Sequence, residues 1–190
     1  MFVDICFPED NEESFIDVAE KLGTKALLFI YNDRKAPKKK FAGNKLTLYR
    51  GYILKNKNKF ACSKTDLVLS MPSSRKIIED KSVNMLFDFE VSDNSLNHVF
   101  FKLIRNKNKL LGIGISNLLD HEREEEILQN LVQTVKLSRK YNLDMITASF
   151  ADEPYKLRAQ KELESFSICL GLPSSESKMA LLRLYTVLNS

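Results

Sequence analysis

Two carboxylates separated by one residue, Asp88 and Glu90, close a short apolar run, Met85-Leu86-Phe87-Asp88-Phe89. At a strand end such a pair can divide acid and base work, one holding a proton while the other accepts one. The competing reading is two solvated loop side chains. A hydrolytic metal centre would need several His and carboxylates converging on one point, and the chain has two histidines, His98 and His121. His98 falls within a helical stretch and His121 opens a helix beside four Glu; neither belongs to an HxH or HExxH arrangement. Nucleophilic catalysis has no GxSxG elbow to build on, and Cys6 has no basic neighbour in sequence. Walker A is absent, as is GxGxxG after the first strand. GIGIS, at 112–116, lies inside a strand, where glycine serves close packing. The expectation is a scaffold with no catalytic residue and no metal ligand of its own.

Binding residues are far better represented. From Arg34 to Lys64 there are eleven Lys and Arg and no Asp or Glu, while the rest of the chain holds 18 basic and 25 acidic residues. A net charge of +4 conceals that segregation, which is the footprint expected of a polyanion partner. The candidates are the run Lys38, Lys39 and Lys40; Arg50, flanked by Tyr49 and Tyr52, which could stack on bases; and Arg75 with Lys76 at the opening of a helix. Another helix carries His98, Lys102 and Arg105 on its outer side, extended by Lys107 and Lys109, and Arg158 follows the last strand. Lys and Arg near phosphate supply affinity without sequence choice. The plainer alternative is a pair of solvated lysine-rich loops, or loops facing an acidic protein.

The elements that position these groups radiate from 110–150. LLGIGIS (110–116) and LDMITASF (143–150) are short apolar runs fit for strands buried on both faces. Between them Ile127, Leu128, Leu131, Val132 and Val135 recur at helical spacing, with Glu122, Glu124, Glu125 and Glu126 at the start and Lys136, Arg139 and Lys140 at the end, matching the helix dipole. About 20 residues at 1.5 Å each carry the chain ~30 Å back for a parallel strand.

The same alternation runs from the N-terminus. A strand at 2–6 precedes a helix with Asp10 and Glu13 at capping-box spacing and Asn11 as a rival cap. Further strands fall at 25–31, 46–54, 66–71 and 85–89, separated by basic loops at 32–43 and 55–64 and by a short helix capped by Ser73 or Ser74. Helices follow at 95–106, 157–166 and 176–189, with an apolar turn at 168–171. Between the second and third strands there is no room for a full helix. Seven strands alternating with helices define a parallel α/β architecture in one domain, 1–190, with a TIM-like barrel and an open doubly wound sheet both compatible.

Hydrophobic residues at 44% and charged ones at 28% describe an ordinary globular chain rather than a disordered one. The N-terminus is too short and acidic for a signal peptide, and no apolar run reaches membrane-spanning length. Cys6, Cys62 and Cys169 form no CxxC, so reduced core thiols and a cytosolic or nuclear setting are expected.

From SVNMLFDF through LNHVFFKLIRNKNKLLGIGISNLL, the long helix ending RKYNL, the TASF turn and LRAQKELESFSICLGLP, the order and spacing resemble the archaeal ribonuclease P protein component 3 family. The opening VDICFPE is also similar; 32–64 does not align. The resemblance implies an irregular TIM-like barrel acting as a protein subunit of the ribonucleoprotein that removes the 5′ leader from precursor tRNA. There the RNA performs the hydrolysis with magnesium, and the chain itself holds no cofactor. It further implies a small ferredoxin-like protein partner, a heterotetramer, a cytoplasmic location, no membrane, and RNA contact through His98, Lys102, Arg158 and Arg75/Lys76. The turn after the last strand departs from the family's pattern because Phe150 intervenes. Related barrels include metal-dependent phosphoesterases with a D-x-H-x-H opening strand; here Ile5 and Cys6 follow Asp4, and a phosphoesterase is the alternative reading.

Overall fold

A computed structural model describes residues 1–32, 45–54, 67–91, 97–119 and 123–189. The strands are β1 (Asp4–Cys6), β2 (Ala26–Tyr31), β3 (Thr47–Ile53), β4 (Leu67–Ser70), β5 (Met85–Leu86), β6 (Leu110–Gly114) and β7 (Met145–Ala148). The helices are α1 (Glu12–Lys21), α2 (Arg75–Glu79), α3 (His98–Asn106), α4 (Glu124–Lys140), α5 (Gln160–Cys169) and α6 (Ser174–Leu188), with 3₁₀ turns at Phe89–Val91, Ser116–Leu118 and Pro154–Lys156.

The seven strands pair in chain order and every pair is parallel. A doubly wound sheet reverses its strand order at a switch point; this one does not. The ring closes between β7 and β1 through a single bridge, Cys6 to Ala151. There the Phe7 N–H donates to the Ala151 carbonyl at 2.8 Å, and the Ala151 N–H donates to Ile5 at 3.1 Å. The result is a nearly closed, irregular TIM-like barrel.

Alternation along each strand sorts its side chains between lumen and helices. Ile5, Leu28, Ile30, Leu69, Met85 and Ile146 belong to the lumen core. Leu27 and Phe29 pack with α1, while Leu86, Leu111 and Ile113 pack with α3 and α4. Burial on both faces is why these strands read as continuous apolar runs. The glycines of β6 face Phe150: a Cβ at Gly112 would lie 2.5 Å from its Cζ, and one at Gly114 would lie 3.0 Å from its Cβ. The end of α6 adds Leu184, Tyr185, Val187 and Leu188 to the lumen core, beside Val3, Ala26 and Leu67 from the strand beginnings.

Several local expectations are corrected. The fifth strand ends at Leu86, because Asp88 takes φ 56° and a 3₁₀ turn follows. His98 is the first residue of α3 rather than an internal one, since Asn97 caps that helix. On α4, Leu128 and Val132 are exposed, so the buried stripe is narrower than the sequence spacing implies. α5 runs on to Cys169, through part of the expected apolar turn, and Cys169 is exposed rather than a core thiol. Asn11 occupies the α1 cap position, but its Oδ1 accepts the Glu9 N–H at 2.9 Å, so no capping box forms. Cys62, His121 and residues 33–44 between β2 and β3 lie outside the described residues, as do the basic side chains of 34–64 other than Lys45 and Arg50. Among the described residues no helix is long and apolar enough to cross a membrane.

Candidate nucleic-acid interface

In a parallel barrel the C-terminal strand ends are where ligands collect. Here three phenylalanines occupy that mouth. The Phe87 ring stacks on Phe150 with centroids 5.7 Å apart and on Phe7 at 5.6 Å. A cavity of about 260 Å³ remains beside them, lined in part by Ile30, Asn32, Met71, Asp88 and Asn117.

At its edge the two candidate carboxylates do meet. Asn117 Nδ2 donates to Asp88 Oδ1 and to Glu90 Oε1, each at 2.9 Å, and Asn130 Nδ2 holds the Glu90 carbonyl at 2.9 Å. Burial, reinforced by the neighbouring Glu90 charge, raises Asp88 to about 7. Burial also raises Glu90, whose second carboxylate oxygen is buried with no hydrogen-bond partner. Two carboxylates joined through one amide in such a place favour holding a proton over releasing both. They are not solvated loop residues; they tie the chain after β5 to the chain after β6 and to α4. Asp152, on the other side of the mouth, is engaged by Lys156 at 2.7 Å and by the Ser116 hydroxyl at 3.1 Å. No group of three or more His, Cys, Asp or Glu placed to hold a metal ion occurs among the described residues.

The basic candidates separate into distinct places. α2, α3 and α4 pack side by side, so Arg75, Lys76, His98, Lys102, Arg105 and Lys107, all exposed, share one flank of the barrel. Arg75 also pairs with Glu79 at 2.9 Å. Lys109 is not part of that flank. It is buried, and its ammonium donates to the carbonyls of Asp80, at 2.6 Å, and Val83. Arg50 lies on β3, exposed, while its neighbours are engaged in packing: Tyr49 against the lumen core and Tyr52 against the α1 side. Neither tyrosine is an open stacking platform. Arg158 sits at the seam, its backbone N–H donating to Ser149 Oγ at 2.9 Å and its guanidinium to the Tyr155 and Leu157 carbonyls. Lys38, Lys39 and Lys40 lie outside the described residues.

No protein-family model matches the chain. Among curated proteins it is 29% identical over 111 residues to ribonuclease P protein component 3 of Methanococcoides burtonii, covering 57% of this chain and 46% of that one. It is 24% identical over 112 residues to the protein of the same name from Archaeoglobus fulgidus, covering 58% and 55%. The resemblance to ribonuclease P protein component 3 holds. The chain spans about half the length of the curated component 3 relatives that it matches. In fold it is similar to a chain in the cryo-EM structure of archaeal ribonuclease P with mature tRNA, at TM-score 0.77 and 19% identity over 98% of this chain and 90% of that one. A histidinol phosphate phosphatase from Lactococcus lactis, solved with zinc, L-histidinol and phosphate, shares the fold at TM-score 0.64 and 10% identity, over 90% and 94%.

With the component 3 likeness in view, the residues that sequence reasoning missed stand out. Asp4 is a fully buried carboxylate in an apolar strand, and it fastens the barrel seam by accepting the Ser149 N–H and hydroxyl. A charge amid Phe2, Val3 and Ile5 was the available signal. Asn117 bridges the mouth carboxylates, and Tyr141 contacts His98; neither has a local pattern that announces it.

Proposed function

We propose that this chain is a protein subunit of a ribonuclease P ribonucleoprotein, binding and stabilising its RNA for removal of the 5′ leader from precursor tRNA. The observation that carries the reading is the sequence likeness to four component 3 proteins on a barrel whose mouth is packed with phenylalanine. The RNA then supplies the hydrolysis, with magnesium held on the RNA, and the chain supplies a rigid, positively charged flank. His98, Lys102, Arg105 and Lys107, with Arg75 and Lys76 beside them, form that flank. Arg50, Arg158 and Lys38, Lys39 and Lys40 extend the RNA-facing set. A small ferredoxin-like subunit is the protein partner, in a heterotetramer, and the assembly works in the cytoplasm.

The phosphoesterase alternative would need metal ligands at the mouth. Asp88 and Glu90 share an amide there, and Asp152 is taken by Lys156, which does not suit them to that task. Reconstituting precursor-tRNA cleavage from the RNA and the remaining subunits, with and without this chain, tests the reading. Cleavage stimulated by the chain is expected. Equal cleavage without it, or metal-dependent phosphate-ester hydrolysis by the isolated chain, would overturn the reading.

A further inference from the structure

His98 and Tyr141, 43 positions apart, meet where the start of α3 lies against the end of α4. Each is held firmly by its own helix. Asn97 Oδ1 accepts the N–H groups of Val99 and Phe100 at 2.7 and 3.2 Å, which caps the first turn of α3. At the end of α4, Asn142 takes φ 51° and its N–H reaches the Arg139 carbonyl at 3.2 Å, while the N–H of buried Leu143 reaches the Ser138 carbonyl at 2.9 Å. This double hydrogen bond is a Schellman ending, and it locks the backbone at Tyr141. Between the two anchored ends, the Tyr141 hydroxyl lies 2.9 Å from His98 Nδ1, with the rings edge-on at 71°. The Lys140 ammonium sits 5.7 Å from the centre of the Tyr141 ring.

A phenol is a better hydrogen-bond donor than acceptor, and a cation against its ring strengthens that bias. With the hydroxyl as the donor to Nδ1, the proton of the neutral imidazole resides on Nε2. In the imidazolium, Nδ1–H donates to the phenol oxygen and Nε2 again carries a proton. In both states an exposed N–H donor faces away from the tyrosine. Lys102 follows one turn along the same helix face.

We propose that Tyr141 is a positioning residue that fixes the His98 imidazole as an Nε2–H donor for a phosphate oxygen of RNA, with Lys102 and Lys140 supplying the charge. The proposal rests on the RNA reading above. The basic and paired charged groups on α3 and on the helices packed against it are Lys102 and Arg105 on its own helix, Lys136, Arg139 and Lys140 on α4, and Arg75, Lys76 and Glu79 on α2, the last paired with Arg75. The acidic turn of α4, Glu124 to Glu126, lies ~20 Å away along that helix axis.

The test uses Tyr141→Phe and His98→Ala with two readouts. Long-range proton–nitrogen NMR of the free protein reports the tautomer: Nε2–H is expected in the parent and a mixture in Y141F. Affinity for a ribonuclease P RNA transcript is measured for the parent and both variants under the same conditions. Y141F is expected to bind about 3- to 10-fold more weakly than the parent, the scale of one hydrogen bond. An Nδ1–H tautomer in the parent, an unchanged tautomer in Y141F, or Y141F affinity equal to that of the parent overturns the positioning role. Undiminished RNA affinity in H98A overturns the RNA reading of this flank itself, so the two failures are distinguishable.

Discussion

The Asp4 carboxylate accepts the Ser149 amide at 2.6 Å and its hydroxyl at 2.7 Å, joining the first strand to the residue after the last across 145 positions of chain. Burial pushes this carboxyl up to about 6, even though hydrogen bonds from Ser149 and Ile5 pull the other way. Removing the side chain in Asp4→Ala leaves the Ser149 N–H without its acceptor beside a cavity. A loss of about 2–4 kcal/mol is expected, read by urea unfolding.

The sign of the pH effect follows from that raised value. Between about pH 4 and 6 the fold keeps a proton that the unfolded chain has released, so the Asp4 contribution declines as pH rises through this window. Asp4→Asn should flatten that part of the stability profile. An unchanged slope between pH 4 and 6 would show that the seam carboxyl titrates as it does in the unfolded chain.

Asp88 extends the same trend further. Its carboxyl is raised to about 7, so at neutral pH and above the fold carries a buried negative charge next to Glu90. Asp88→Asn keeps an oxygen for Asn117 and removes the charge. The variant should be more stable at pH 8 by roughly 1–3 kcal/mol, a rise of about 2–4 °C in Tm for each kcal/mol in a domain of this size. At pH 4 its melting should coincide with that of the parent. Asn117→Ala should do the opposite, leaving both carboxylates without their shared donor.

Gly112 and Phe150 form a third testable pair. Gly112→Ala drives a methyl into the Phe150 ring and should cost about 1–3 kcal/mol. Phe150→Ala leaves a cavity and costs about 3–5 kcal/mol. In the double variant the methyl has room, so the combined loss should fall short of the sum, measured by a double-mutant cycle in thermal melts. Strict additivity would mean that the ring does not determine the need for glycine.

The flank on α3 predicts a salt signature. Alanine at Lys102, Arg105 or Lys107 should each weaken RNA binding and lower the slope of log affinity against log salt by up to about 0.7–0.9. Lys109→Ala should leave the slope unchanged and lower stability instead, because its ammonium is spent on the carbonyls of Asp80 and Val83.

Local pattern alone determined the strand–helix alternation, the seven strands and the polarity of α4, since apolar spacing and terminal charge act over a few residues. The glycines of β6 were likewise legible as packing residues. Which residues meet was not. Lys107 and Lys109 look alike in sequence, yet one is exposed and the other buried; that choice depends on the loop after α2 lying over the end of α3. His98 needs Tyr141, Asp4 needs Ser149, and Asp88 and Glu90 need Asn117. Each of these contacts crosses from one βα unit to another: neighbouring units packed side by side bring His98 to Tyr141 and the carboxylates to Asn117, and closing the ring brings Asp4 to Ser149.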